Sequence, residues 1–421
     1  MKIVISQGRI LDPMQVMDRV GDLVIEDGII TRISEPGTET GDIVRNAEGL
    51  LVTPGFIDMH THLREPGFEY KEDIASGTQA AAAGGFTAVC CMPNTNPAID
   101  NVAVVTHILE RARHASARVH PIAALTKNNE GEVLAEIKDL LDAGAVGISD
   151  DAFPIQNAEM MRRGMEYCRQ FDAPLMTHNE EKTLSEGGSM NEGYYSTVMG
   201  LPGIPAVSEN IAAARNIMLA DLTGCKLHLL HVSTAGTVEL LRLAKANGLP
   251  VTGETAPHYF TLTDAACRNY DTNAKMNPPL RTERDVQAIR EGLADHTLDA
   301  IATDHAPHTP NEKEQEFDRA PFGVIGLETA FALTYTHLVL PGVITLNEMI
   351  RKMSTAPARI LGLRAGTLKP GSIADISIFD PEARWTVNSA DFCSRSRNTP
   401  FEGHTLQGKA VFTIVGGRII G

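Results

Sequence analysis

The chain has no uninterrupted apolar stretch long enough to cross a bilayer, which argues against a helical membrane protein. Its first residues, MKIVISQGRILDP, lack the apolar core and cleavage site of a secretory leader. Six cysteines are scattered without the spacing of a disulfide framework or a zinc finger. Cys90 and Cys91 are neighbours in a strand-like run, so their side chains point to opposite faces. A cytoplasmic protein with reduced thiols is expected. Repeats of fixed period and low-complexity tracts are absent. Positive charge is scarce: 37 Lys and Arg against 53 Asp and Glu leave a formal charge of −16. That balance argues against non-specific binding to nucleic acid or anionic membranes. An anionic substrate would need a local basic pocket.

What is there is the material of a globular protein, with 43% hydrophobic and 21% charged residues in 421. This length suits one large domain plus a smaller one. The first fifty or so residues are β-like, with Asp27-Gly28 as a hairpin turn inside LVIEDGIITRI. The end resembles the start, with GSIADISIFD and KAVFTIVGGRII. One β-sandwich domain built from both termini is expected, from residues 1–53 and 365–421. Between them, over 54–364, eight strand-like runs alternate with helical patterns: GFIDMH, FTAVCCMP, RVHPIAAL, AVGISD, PLMTH, KLHLLHV, PVTGETA and LDAIATD. The helical patterns include Asp73–Ala83, Val102–His114, Val133–Asp142, Ala158–Phe171, Ile211–Leu222 and Thr237–Asn247. This alternation predicts a (β/α)8 TIM-type barrel, whose chemistry sits at the C-terminal ends of the strands.

Candidate ligands stand at those ends. His60 and His62 flank one residue after the apolar run Leu51–Ile57, and on an extended chain they face the same way. Two converging imidazoles are half of a transition-metal site, with zinc the natural occupant. Asp151, His178, His231 and Asp304 each follow another apolar run. Four imidazoles and two carboxylates exceed one tetrahedral zinc and suit two zincs sharing a carboxylate. Asp150 competes with Asp151 for the shared position, and spacing does not choose between them. For His178 or His231 alone, a hydrogen-bonded strand-end histidine fits as well as a ligand. Asp304, in IATDHAPH, would be costly to bury without a metal or a proton donor. His228 faces the other way from His231 and reads as structural. His107, His114, His120, His296, His337 and His404 have no site context.

Together these residues resemble the amidohydrolase superfamily, and within it the dihydroorotases of the bacterial type with a composite β-domain. The segments carrying the likeness are PGFIDMHTHLREPG (54–67), CMPNTNP (91–97), SDDAFPI (149–155), HNE (178–180), HVST (231–234), KMNPPLR (275–281), TDHAPH (303–308) and PFGVIGLE (321–328). Related dihydropyrimidinases, hydantoinases and allantoinases bridge their metals with a carboxylated lysine on the fourth strand. Here that region reads Gly147-Ile148-Ser149-Asp150-Asp151 and has no lysine. The resemblance places a bridging aspartate there and favours Asp151. It implies two zincs per subunit, held by His60, His62, Asp151, His178, His231 and Asp304.

The implied reaction interconverts N-carbamoyl-L-aspartate and L-dihydroorotate in pyrimidine biosynthesis. A hydroxide between the metals would be the nucleophile and Asp304 the general base and acid. The resemblance implies substrate contacts from His62, Arg64, Asn94, Asn277, His308 and the backbone around Phe322 and Gly323. Read from the residues alone, Arg64 could instead pair with Glu65 or Glu69 at the surface, and both asparagines sit beside prolines as loop residues often do. His305 reads as a supporting residue. The polar run Thr309–Ala320 suits a lid or a plain solvated loop. Another cyclic amidase, or a scaffold partner of aspartate carbamoyltransferase, is the alternative. A homo-oligomer is expected.

Overall fold

In the computed structural model, which describes residues 1–421, five strands open the chain. These are β1 (Lys2–Asp12), β2 (Met17–Glu26), β3 (Ile29–Ser34), β4 (Ile43–Asn46) and β5 (Leu51–Pro54). β1 is antiparallel to β2 and parallel to β4 and β5, and Asp27-Gly28 turns the β2–β3 hairpin. The run Leu51–Ile57 divides at Gly55: β5 stays in this sheet, and β6 (Phe56–Thr61) starts a second one. Only glycine fits at the junction, because a Cβ on Gly55 would lie 2.0 Å from Thr87 Oγ1.

The second sheet is the barrel. After β6 come β7 (Phe86–Cys91), β8 (Arg118–Ala124), β9 (Gly147–Ser149) and β10 (Leu175–Thr177). A small separate pair follows, β11 (Met190–Asn191) and β12 (Gly203–Ile204). β13 (Leu227–Leu229), β14 (Val251–Thr255) and β15 (Ala300–Ile301) complete the ring. The eight barrel strands pair in parallel in chain order, and a Thr61–His305 bridge with His62 N–H donating to His305 C=O (2.8 Å) closes them. The (β/α)8 barrel is present.

Helices cover its outside and enclose a core of 54 buried residues. Inside lie Met59, Cys90, Ile122, Met176, Leu230 and Ala300. Cys90 thus packs inward and Cys91 joins the outer core, and all six cysteines are free thiols. One expected helix is shorter: only Ile137–Asp142 coils, because Leu134 bridges to Thr126 and Ala135 N–H donates to Leu125 C=O. Another is longer, Ala206–Thr223, starting directly after Pro205. No helix is long and apolar enough to cross a membrane.

The chain then returns to its first sheet with β16 (Ile376–Thr386), β17 (Thr405–Val415) and β18 (Arg418–Ile420). β16 runs antiparallel to β5, giving the order β18-β17-β16-β5-β1-β2-β3 with β4 beside β1. Ile3, Ile5, Ile25, Ile376, Ile378 and Ile414 share one core, so both ends of the chain bury each other's apolar faces. The connection from β16 to β17 leaves this sheet and runs to the mouth of the barrel, where its residues bond Glu72 and His308.

Candidate active site

The strand ends bring the six candidate ligands together. His60 lies on β6 and His62 just beyond it; Asp151 follows β9, His178 follows β10 and His231 follows β13. Each is almost fully buried. Asp151 divides its carboxylate between two pairs of imidazoles. Its Oδ1 is 3.4 Å from both His178 Nδ1 and His231 Nε2. Its Oδ2 is 3.5 Å from His60 Nε2 and 3.6 Å from His62 Nε2. Two groups result, His60–His62–Asp151 and Asp151–His178–His231, each with ligand atoms spaced to hold a metal ion. Asp304 joins the first, with Oδ1 3.1 Å from His62 Nε2 and 3.4 Å from His60 Nε2.

Asp150 is turned away: its carboxylate accepts from the N–H groups of Ile155 and His178 (3.0 Å each). It anchors the loop that carries its neighbour.

Two observations test whether a metal suits this donor set. His60 Nε2 and Asp151 Oδ2 are buried and have no hydrogen-bond partner, yet they face one another across the centre. His178 Nδ1 and His231 Nε2 approach to 2.8 Å, two ring nitrogens converging on one carboxylate oxygen. Buried polar atoms left unpaired are costly, and a cation between them would satisfy all four. The imidazole and carboxylate donors fit such an ion.

Charge follows the same pattern. Burial would raise the Asp151 carboxyl, but His60, His178 and His231 outweigh it and hold the group well below the usual carboxylate range. Burial also works against charge on His60, and Asp304 and Asp151 override it to push the imidazole up.

A further layer orients the rings. Glu254 on β14 sits 2.9 Å from His60 Nδ1 and 3.2 Å from His228 Nε2, which leaves His60 Nε2 to face the centre. Glu180 sits 3.0 Å from His178 Nε2, and both Asn277 Nδ2 (3.3 Å) and Lys182 Nζ (2.9 Å) donate to it. Asn94 Oδ1 meets His62 Nδ1 at 2.9 Å. Three of the site residues hold left-handed backbone: Arg64 (φ 64°), His231 (φ 34°) and Asp304 (φ 49°). That conformation is uncommon for residues other than glycine and persists where surrounding contacts fix it.

Above this centre opens a cavity of about 610 Å³. His62, Arg64, Asn94, Asn277, His308, Phe322 and Gly323 all line it. Arg64 Nε donates to Pro307 C=O (3.1 Å), and its guanidinium lies 3.3 Å from His308 Nε2. The acids nearest to it in sequence are engaged elsewhere: Glu65 accepts from Arg111, and Glu69 accepts from Gly67 N–H. Burial lowers the Arg64 pKa to about 10, so the group remains a cation. His308 donates from Nε2 to Phe322 C=O (2.8 Å), and burial, Arg64 and Lys71 keep its ring neutral. Gly323 holds φ 142°, and a Cβ there would lie 2.8 Å from Ala306 C=O.

The stretch Thr309–Ala320 is held at two points. Lys313 Nζ donates to the carbonyls of Pro321 (2.9 Å) and Gly323 (3.0 Å), and Phe317 is buried. Sequence reading left several lining or orienting residues without a role: Glu180, Lys182, the Glu186-Gly187-Gly188 loop and Glu254. A single charged residue inside the otherwise uncharged strand-like run PVTGETA was the available signal for Glu254. His258 also went unread; it is buried near the site with an unpartnered Nε2, and burial lowers its pKa to about 4.

Residues 49–237 match the family described as Dihydro-orotase-like. The chain is 54% identical to the dihydroorotase of Syntrophotalea carbinolica, covering 100% of this chain and 99% of that one. It is 52% identical to the dihydroorotase of Pelotomaculum thermopropionicum, covering 100% and 98%. Among solved structures it is similar to the L-hydantoinase (dihydropyrimidinase) of Arthrobacter aurescens, with TM-score 0.90 and 24% identity over 100% of this chain and 96% of that one.

Proposed function

The chain belongs to the dihydroorotase family, and from that premise we propose that it interconverts L-dihydroorotate and N-carbamoyl-L-aspartate by reversible hydrolysis of a ring amide. The observation that carries the reading is Asp151 shared between two histidine pairs, on the floor of a cavity whose wall holds the unpaired cation of Arg64. In this reading His60, His62, Asp151 and Asp304 would hold one zinc, and Asp151, His178 and His231 would hold a second. Two such ions, when bound, supply a water of lowered pKa and polarise the amide carbonyl.

The chain's own groups do the rest. Arg64 offers a planar fork to the substrate carboxylate, with Asn94 beside it, and the net-negative protein thereby presents local positive charge to an anion. Asn277 and the Phe322–Gly323 backbone meet the ring amides. Neutral His308 sits within reach of the same carboxylate. Asp304 accepts the proton released on attack at the carbonyl and delivers it to the departing ring nitrogen; in cyclisation it runs in reverse. Opening the ring creates a carboxylate and releases a proton, so higher pH favours hydrolysis and lower pH favours closure.

The test is turnover of L-dihydroorotate against dihydrouracil by zinc-loaded protein, with a chelator-stripped control. Metal-dependent opening of dihydroorotate alone is expected. Preference for dihydrouracil would overturn the role given to Arg64, and failure on both would bring the scaffold alternative forward.

The proposal extends to self-association. The helix Ala206–Thr223 exposes Val207, Ile211, Met218 and Leu222 within an arc of about 60°. Arg215 is turned inward to the carbonyls of Ile155 and Gln156. An antiparallel second copy would set Val207 against Leu222 and Ile211 against Met218 about a two-fold axis. With Tyr167 and Leu243 exposed on the two flanking helices, the face is about 27 Å by 30 Å, roughly the 800 Å² per partner of a stable dimer. Sedimentation should give a dimer or larger for the native chain and a monomer for Met218→Glu; a native monomer would overturn it. Association with aspartate carbamoyltransferase is a separate proposal, tested by co-purification.

A further inference from the structure

The connection between β16 and β17 belongs in sequence to the small domain, yet residues 393–398 lie across the mouth of the barrel. Ser394 Oγ (2.5 Å) and Arg395 N–H (3.1 Å) donate to Glu72, a fully buried carboxylate that also approaches His305 Nε2 (3.5 Å). Ser396 Oγ donates to the carbonyl of Lys71 (2.7 Å), whose Nζ contacts His308 Nδ1 (3.3 Å). Arg395 clamps the outside through Asp73 and the Glu69 carbonyl.

Asn398 ends this strap and is 3% exposed. Its Oδ1 accepts from His308 N–H (3.1 Å). Its Nδ2 donates to two carbonyls, Ala306 and Gly323, at 3.0 Å each. Its own C=O accepts from Ile325 N–H (2.9 Å). One side chain therefore ties the turn that carries His308 to the segment that carries Phe322 and Gly323. Both segments line the cavity, and neither supplies a metal-facing atom except through Asp304, four residues before His308.

We propose that Asn398 is a positioning residue for substrate binding, through which the small domain holds the two non-metal walls of the cavity in register. The inference rests on the dihydroorotase reading for its kinetic test. Only an amide satisfies this arrangement: it must accept from one N–H and donate to two carbonyls at once. Alanine leaves His308 N–H and Ala306 C=O unpaired and Gly323 C=O with Lys313 alone. Aspartate keeps the acceptor but turns both donor contacts into repulsion.

The experiment uses the full-length metal-loaded enzyme carrying Asn398→Ala or Asn398→Asp. Steady-state kinetics are measured in both directions, together with metal content and hydrogen exchange of peptides covering 302–308 and 321–327. In both variants the KM is expected to rise ten- to a hundred-fold, with kcat within about three-fold of native and metal content unchanged. Exchange in both peptides should accelerate. Native KM, or kcat falling in step with loss of metal, would overturn the proposal. If neither variant accumulates folded, Ser396→Ala is read the same way: a several-fold rise in KM supports the strap, and a native KM overturns it. A native enzyme inert toward dihydroorotate would refute the substrate reading instead, and the exchange measurement would still decide whether Asn398 holds the two walls.

Discussion

Asp150 and Asp151 are identical in chemistry and adjacent in sequence, yet they do different work. Asp151 meets four imidazoles, whereas Asp150 accepts two backbone N–H groups. Replacing Asp151 with alanine should abolish metal retention and lower kcat/KM by at least a thousand-fold, because each candidate ligand group loses its shared member. Asp150→Ala should keep the metals and cost about 1–3 kcal/mol of stability through unpaired N–H groups. Metal analysis after gel filtration separates the two, and the reverse result would exchange their roles. At this scale the sequence was informative where a residue's own position constrained it, as in the two-residue period of His60 and His62. It was silent where the partner came from a distant strand. Glu254 is 194 residues from the His60 ring it orients, and no local pattern encodes that pairing.

The strands of the barrel were legible as elements because each is a short apolar-rich run, and four of the eight end in His or Asp. Their ends were less so. Gly55 splits one apolar run between two sheets because of close backbone approach to Thr87, which hydrophobicity does not report. The helix expected from Val133 loses its first turn to a bridge with Thr126. The segment Arg351–Thr355 carries a different surprise, a lysine with no exposed surface. Lys352 Nζ donates to Leu298 C=O (2.6 Å), and burial lowers its pKa to about 8. At neutral pH the lysine is charged in both folded and unfolded chains, so the cost of burying that charge is fully present. As pH rises from about 8 toward the unfolded value, the folded chain releases its proton first and stability improves. Lys352→Met should therefore raise stability at pH 7 by roughly 1–3 kcal/mol, with the advantage shrinking above pH 8. Denaturant titrations at pH 7 and pH 10 check this, and an advantage that grew with pH would contradict it.

For the molecule as a whole, the site is a cluster of buried charges at the centre of one barrel, so metal occupancy should set stability as well as activity. Stripping the metals is expected to lower the melting temperature, and restoring zinc should raise it with concentration as mass action requires. A melting curve indifferent to chelator would remove metal from the account of the centre. The barrel itself could be read from alternation, and the shared sheet from the likeness of the two ends. How the second domain reaches the cavity could not, because the strap at residues 393–398 carries no chemical motif and its side chains bond mainly backbone groups of segments distant in sequence.

The pairing of β5 with β16 also has a consequence in time. Thr53 and Ser377 are neighbours in the sheet but 324 residues apart along the chain. At translation rates of about 5–20 residues per second, a ribosome delivers the second roughly 15–65 s after the first. For that interval the nascent β5 has an open edge on the side where β16 will dock, while the whole barrel is made beyond it. The interval ends only when β16 emerges, so an elongation pause after the barrel would prolong exposure of an aggregation-prone edge.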